Sequence, residues 1–275
     1  MGTELGARSA PMTVDGAARE PASSAFTYAS AELDAMAGAA NYHGAILERF
    51  LPHLPETGGH VVEIGAGIGT IAARLLKATL RAGRPLARLT LVEPASNNLP
   101  HLQRRFGEGT AVGAPGGTRV KIRAGYFAGV VGELTAMGGV DAVVMVNVLE
   151  HVSDDAALLD DVHRALRTGG RLCLFVPALP WLYGTLDEAF EHHRRYTVSG
   201  VRALLGRAGL RPLDVRYMNA AGVLPWLVAG RVLRRRTLSP AAVSLYDRLV
   251  IPWLSRIERH WSPPLGQSVV AVAER

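Results

Sequence analysis

H-V-V-E-I-G-A-G-I-G-T, residues 60–70, runs from an apolar stretch through Gly65, Ala66, Gly67 and Gly69 into a helical pattern. Ile71, Leu75 and Leu76 share one face of that pattern, with Arg74 and Lys77 off it. Strand, glycine turn and helix make a nucleotide-binding βα unit, in which N–H groups at the helix start meet a polar ligand. The spacing is G-x-G-x-G, not the dinucleotide G-x-G-x-x-G. Alternate glycines let the backbone turn sharply and lie against a ligand where a Cβ would collide. Glu63 precedes the turn. A carboxylate there repels phosphate and suits an ammonium group, which favours a zwitterionic, cationic ligand over NAD.

Further strands alternate with helices on either side of this unit. Residues 89–93, 120–124, 141–147 and 171–176 read as strands two to five, and 213–218 and 268–273 as six and seven. A helix is expected over 154–167, ended by Gly169-Gly170. Near-continuous apolar strands separated by helices predict an α/β fold, a parallel sheet covered on both faces. Upstream, apolar residues at helical spacing predict a cap helix over 28–54, within a cap of 25–56.

The strings E-I-G-A-G-I-G-T and L-T-L-V-E-P resemble the first two motifs of the class I S-adenosylmethionine-dependent methyltransferases. The resemblance implies a Rossmann-like seven-stranded, mostly parallel sheet whose last strand is antiparallel, with an N-terminal helical cap and a helical insertion before that strand. It implies S-adenosyl-L-methionine as cofactor, its methionine end in the glycine loop and both ribose hydroxyls on Glu93, beside Pro94. A carboxylate suits that task because its two oxygens accept from two neighbouring hydroxyls. Tyr42, in the cap's N-Y-H string, is a cofactor contact or an interfacial packing residue. Where many relatives hold adenine with an acid after strand three, this chain has Ala124-Gly125-Tyr126, leaving backbone groups and Tyr126 for the task.

The chain has 275 residues, 48% hydrophobic and 20% charged, which fits one soluble globular domain over 25–275. Residues 1–24, rich in Gly, Ala, Ser and Pro, read as a disordered tail without the pattern of a signal peptide. The one cysteine, Cys173, lies in an expected strand, so a disulfide framework is excluded and a cytoplasmic location is expected. A net charge of +6 raises the question of nucleic acid, but the arginines are spread over many helices without a lysine-rich tail or stacking aromatics. No nucleic-acid partner is expected.

Ligands of open parallel sheets lie beyond the carboxyl ends of the strands, where three segments converge: 147–152, 177–197 and the insertion before strand seven. Asn147 to Val152, N-V-L-E-H-V, resembles the segment after strand four in small-molecule O-methyltransferases that read E-x-x-E-H there. Some of those bind a divalent metal. Asn147 replaces the first acid here, so no metal is assigned, although Glu150 and His151 with His192 or His193 could supply ligands. His151 suits a general base that takes a hydroxyl proton, with Glu150 holding the ring, or it packs the following helix.

Residues 177–197, P-A-L-P-W-L-Y-G-T-L-D-E-A-F-E-H-H-R-R-Y-T, resemble a bacterial subgroup whose loop reads P-A-L-P-W-L-Y-G…H-Y-R-R-Y. Trp181, Tyr183, His192, His193, Arg194, Arg195 and Tyr196 are the acceptor-side candidates, with one arginine expected to pair with Asp187 or Glu191 and fix the loop. The insertion, 219–266, sets Leu245, Leu249, Trp253 and Ile257 beside Arg248, Arg256 and Arg259. That pattern reads as a helical lid, a homodimer surface or a weak peripheral membrane contact. The expected activity is methyl transfer to a hydroxyl of a small molecule, since no N-P-P-Y-type motif of amino-group methylases follows strand four. A cyclase on the same fold and a non-catalytic cofactor-binding partner are the alternatives.

Overall fold

The computed structural model describes residues 36–107 and 117–275. The tail, and the expected cap up to residue 35, lie outside them. Helix α1 (Ala40–Phe50) continues as a 3₁₀ turn (Leu51–His53). The described part of the cap is not one unbroken helix, because residues 38 and 39 interrupt it.

Seven strands form one sheet: β1 (His60–Ile64), β2 (Arg88–Glu93), β3 (Arg119–Ala124), β4 (Val140–Val146), β5 (Leu166–Pro177), β6 (Arg211–Met218) and β7 (Ser268–Glu274). Their order is β3-β2-β1-β4-β5-β7-β6. β1 to β5 pair in parallel, and β7 runs antiparallel between β5 and β6. The chain therefore reverses direction across the sheet between β1 and β4, the place where open α/β sheets hold ligands.

Both faces are dry. Val61, Leu89, Val144 and Phe175 pack beneath α1, α2 (Thr70–Arg81) and α3 (Leu99–Phe106). Val62, Val143, Leu174 and Ala271 pack on the other face beneath α4 (Val131–Ala136), α5 (Asp155–Ala165) and α7 (Val198–Arg207), with the short α6 (Thr185–Ala189) in the loop between β5 and α7. Cys173 is buried on the α1 face, and burial pushes its thiol up to about 12, so it serves as a small apolar filler.

The Gly169-Gly170 expectation needs correction. Helix α5 stops at Ala165, and the fully buried Leu166 already pairs with Val140. Residues 167–170 loop out of the ladder before pairing resumes at Arg171. Burying a leucine contributes about 1.5–3 kcal/mol, more than a further helical residue would add.

Between β6 and β7 lie α8 (Val223–Leu227), a π-helical turn (Val228–Val232), α9 (Pro240–Leu249) and α10 (Ile251–His260). Two buried acids fasten this segment. Asp247 accepts from the backbone N–H of Asn41 and Tyr42 at 3.2 and 2.8 Å, and so caps the start of α1, whose own N-cap Ala39 has no suitable side chain. Glu258 accepts from the N–H of Asn219 and Ala220 at 2.9 and 2.8 Å, where β6 gives way to the insertion.

Candidate active site

The β1 turn gathers the first group of residues. Gly65 and Gly69 have φ of +70° and +80°, and a Cβ on them would lie 2.5 Å from Val148 and 2.6 Å from Phe106. Glycine is therefore required at both places by the left-handed backbone and by the protein's own side chains, not only by a ligand. The N–H groups of Gly65 and Ala66 donate to the Val92 carbonyl at 2.8 and 3.2 Å, which ties the turn to β2.

Glu63, 3% exposed, is the penultimate residue of β1, on the α1 side of the sheet, and its Oε2 has no hydrogen-bond partner. Burial first, and then the neighbouring Glu93, holds its carboxyl well above the usual range. A buried carboxylate oxygen without a partner costs free energy unless a cation meets it. Glu93 is already engaged: Gly67 N–H donates to Oε2 at 2.6 Å, and Ala95 N–H and Asn98 Nδ2 donate to Oε1 at 2.9 and 3.3 Å. Burial raises its carboxyl too, against these donors. With three acceptor sites taken, both oxygens can serve a ribose only if one present donor yields.

Ala95 and Asn98 escaped the sequence reading; the signal was the turn-forming Pro94-Ala95-Ser96-Asn97-Asn98 immediately after the acid. Pro94 is half-buried there. Gly125, at φ +110°, and the 45% exposed Tyr126 lie beyond β3. Tyr42 is buried, its ring edge-on to Phe175 at 5.9 Å, in the same apolar cluster as Ile251.

The second group stands beyond β4 and β5. Asn147 has φ +52°, and its N–H donates to the Phe175 carbonyl at 2.9 Å. Asparagine tolerates the left-handed region, which gives its place in the motif a backbone reason. The fully buried Glu150 and the ring of His151 follow in a 3₁₀ turn (Leu149–His151). The His151 and His192 rings meet edge-to-face at 4.8 Å, and one ligating atom each from Glu150, His151 and His192 lie within 4.8 Å of one another. Glu150, His151 and His192 thus come together in a set that could hold a proton or a cation. Burial, then His192, pushes the His151 imidazole down to about 3 against a hydrogen bond to the Glu191 carbonyl. That ring is neutral at physiological pH and a weaker base than an imidazole near neutrality.

Asp187 organises the loop. Its Oδ1 lies 2.9 Å from His192 Nδ1 and 2.7 Å from Arg195 Nε. Its Oδ2 accepts from Gly184 N–H at 3.0 Å and Trp226 Nε1 at 3.4 Å. Burial alone would raise this carboxyl, but His192 and Arg195 hold it below the usual range. Arg195 also donates to the Ala178 carbonyl and stacks 4.9 Å over Trp226. Tyr196 donates to the Leu149 carbonyl and Asp155, and Arg194 pairs with Asp155 at 3.1 Å. These three acceptor-side candidates are engaged in the loop's framework: Arg195 takes the expected partner, Asp187, and Arg194 takes Asp155. Tyr183 donates to the His192 carbonyl; Trp181 and His193 are exposed.

A hollow of about 470 Å³ lined by Arg49, His53, Asp214 and Glu258 contains none of these residues.

A sequence profile of the family described as "Methyltransferase domain" matches residues 37–215, which contain both groups. The chain belongs to that family. Its fold and its cofactor, S-adenosyl-L-methionine, are those of the class I methyltransferases. A chain from Haloferax volcanii solved with the Trm112 methyltransferase activator superposes with a TM-score of 0.55 at 16% identity, over 88% of this chain and 97% of that one. An S-adenosylmethionine-dependent methyltransferase from Archaeoglobus fulgidus gives 0.51 at 14%, over 86% and 95%. Phosphoethanolamine N-methyltransferase 2 of Haemonchus contortus, solved with phosphomonomethylethanolamine and S-adenosylhomocysteine, gives 0.53 at 17%, over 86% and 52%. At these identities the likeness concerns the fold. A comparison with curated proteins returned no match.

Proposed function

We propose that this methyltransferase moves the methyl group of S-adenosylmethionine to a hydroxyl of a small molecule, with the acceptor beside Glu150, His151 and His192. The observation that carries the reading is the pairing of two chemically different groups at the strand tips. Buried acids and a glycine turn stand on the β1–β2 side, and the Glu150, His151 and His192 cluster stands on the β4–β5 side.

When bound, the cofactor supplies a methyl group activated as a sulfonium. In this reading Glu63 holds its ammonium group, and Glu93 holds the ribose hydroxyls in exchange for a present donor. Gly65, Ala66, Gly67 and Gly69 lie under the methionine end, and Gly125, Tyr126 and Asn147 stand near the nucleoside. The chain's main contribution is alignment of acceptor oxygen and methyl carbon, which is worth about 7–11 kcal/mol in well-oriented reactions. Neutral His151 accepts the hydroxyl's hydrogen bond, and its proton as the oxygen–carbon bond forms, while Asp187 orients His192 beside it. Trp181, Tyr183 and His193 are the residues of the 177–197 loop left for acceptor contact. The resemblance of residues 147–152 to the segment after strand four in small-molecule O-methyltransferases supports a small-molecule acceptor.

The test is incubation with labelled cofactor and a panel of hydroxylated acceptors, read by mass gain of one methyl group and release of S-adenosylhomocysteine. A His151→Ala variant is expected to lower kcat about 100-fold with unchanged cofactor affinity, the lower end of the range for positioned acid–base groups. An unchanged kcat would sink the role given to His151, and methylation of amines alone would sink the hydroxyl.

A further inference from the structure

Large apolar side chains recur every fourth residue along α9 and α10 and stand in solvent: Leu245 is 60% exposed, Leu249 63%, Trp253 68%, Ile257 57% and Trp261 53%. Leu224 on α8, Val232 at the end of the π-helical turn and Leu233 just after it are 55–67% exposed. Soluble monomers seldom leave so many large apolar groups contiguous in sequence and uncovered.

The charges on the same segment are sorted. Between residues 228 and 261 stand Arg231, Arg234, Arg235, Arg236, Arg248, Arg256 and Arg259, against two acids, Asp247 and Glu258. Both acids are turned inward, 4% and 3% exposed, where they cap α1 and the start of the insertion. All seven arginines are exposed. Arg256 stacks 5.5 Å over Trp253, so cation and aromatic ring stand together. Arg259 and Arg236 have acidic neighbours in Glu48 and Glu188, the latter at 3.9 Å. No described acid forms an ion pair with Arg234, Arg235, Arg248 or Arg256 within 4.0 Å.

We infer that this face docks on an anionic lipid bilayer, with the α9–α10 side chains entering the headgroup–acyl boundary and the arginines meeting lipid phosphates. Exposed apolar and tryptophan side chains with only basic charges around them match an interfacial helix. No helix among the described residues is long and apolar enough to cross a membrane, so contact from one side is what this surface permits. A second copy fits less well: a two-fold interface would set arginines against arginines, on a chain whose net charge is already +6.

The surface adjoins the proposed acceptor side. Arg231 donates to the Trp181 carbonyl at 2.5 Å, and the Thr185 hydroxyl to the Gly230 carbonyl at 2.9 Å. A bilayer on this face would bring an acceptor anchored in lipid to the 177–197 loop. The surface itself does not depend on which atom is methylated.

Co-sedimentation of the full chain with vesicles of phosphatidylcholine, alone or with phosphatidylglycerol, tests the inference. Binding is expected only to the anionic vesicles, weakening as salt rises. Trp253→Ala with Leu249→Ser should abolish it, and each of Arg234→Glu and Arg235→Glu should weaken it at least about fivefold, from about 1 kcal/mol per basic residue near such a surface. Circular dichroism and S-adenosylhomocysteine affinity, unchanged in these variants, separate loss of docking from loss of fold or of the cofactor site. Absence of binding at low salt, equal binding to neutral vesicles, or a dimer in light scattering that Trp253→Ala dissociates would overturn it.

Discussion

Glu63 is buried, without a hydrogen-bond partner on one oxygen, and held well above the usual carboxyl range. Its folded value exceeds the unfolded one of 4.5, so the folded state binds the extra proton, and stability falls as pH rises from about 4.5 through the raised value. Glu63→Gln should therefore raise Tm at neutral pH while weakening S-adenosylhomocysteine binding about tenfold or more, because a hydrogen bond to a charged group contributes about 1.5–3 kcal/mol. Thermal melting and calorimetry on one preparation check both signs; a lower Tm or unchanged affinity contradicts the assignment. Glu93→Ala should also weaken the cofactor about tenfold, with little change in rate at saturating cofactor. The glycine turn and its two acids were legible in the sequence because strand, turn and acid are local. That the Gly67 N–H already occupies Glu93 was not, since the two stand 26 residues apart.

At the scale of elements, the strands were readable as apolar runs, and the β5 ladder defect at 167–170 was not, because a glycine pair suits a helix end equally well. The loop after β5 was legible as a cluster of aromatic and titratable residues but not as a framework. Asp187 gathers His192, Arg195 and Trp226, the last from 39 residues along the chain. Asp187→Ala should cost about 3–5 kcal/mol by leaving Arg195 buried without its carboxylate. Urea unfolding measures this, and a loss below about 1 kcal/mol would mean that the loop is held elsewhere. Asp247→Ala should cost about 0.5–2 kcal/mol, since it removes the cap of α1. A hydrogen-exchange readout confined to α1 and α9 distinguishes that loss from global damage. No local pattern could reveal this cap, because its partners are 205 and 206 residues apart.

The whole molecule combines a dry two-faced sheet, a polar rim at the carboxyl ends of its strands, and an insertion pinned by inward acids. If Glu63 holds the cofactor's ammonium group as proposed, a carboxylate that burial penalises must ionise to do so, which couples binding to proton release. Calorimetric titration of S-adenosylhomocysteine, in two buffers of different ionisation enthalpy at the same pH, measures that coupling directly. Wild type should release a proton on binding, with affinity rising with pH until Glu63 is ionised in the unbound protein, and Glu63→Gln should release fewer. Absence of binding, or the same proton count in both proteins, would contradict the account.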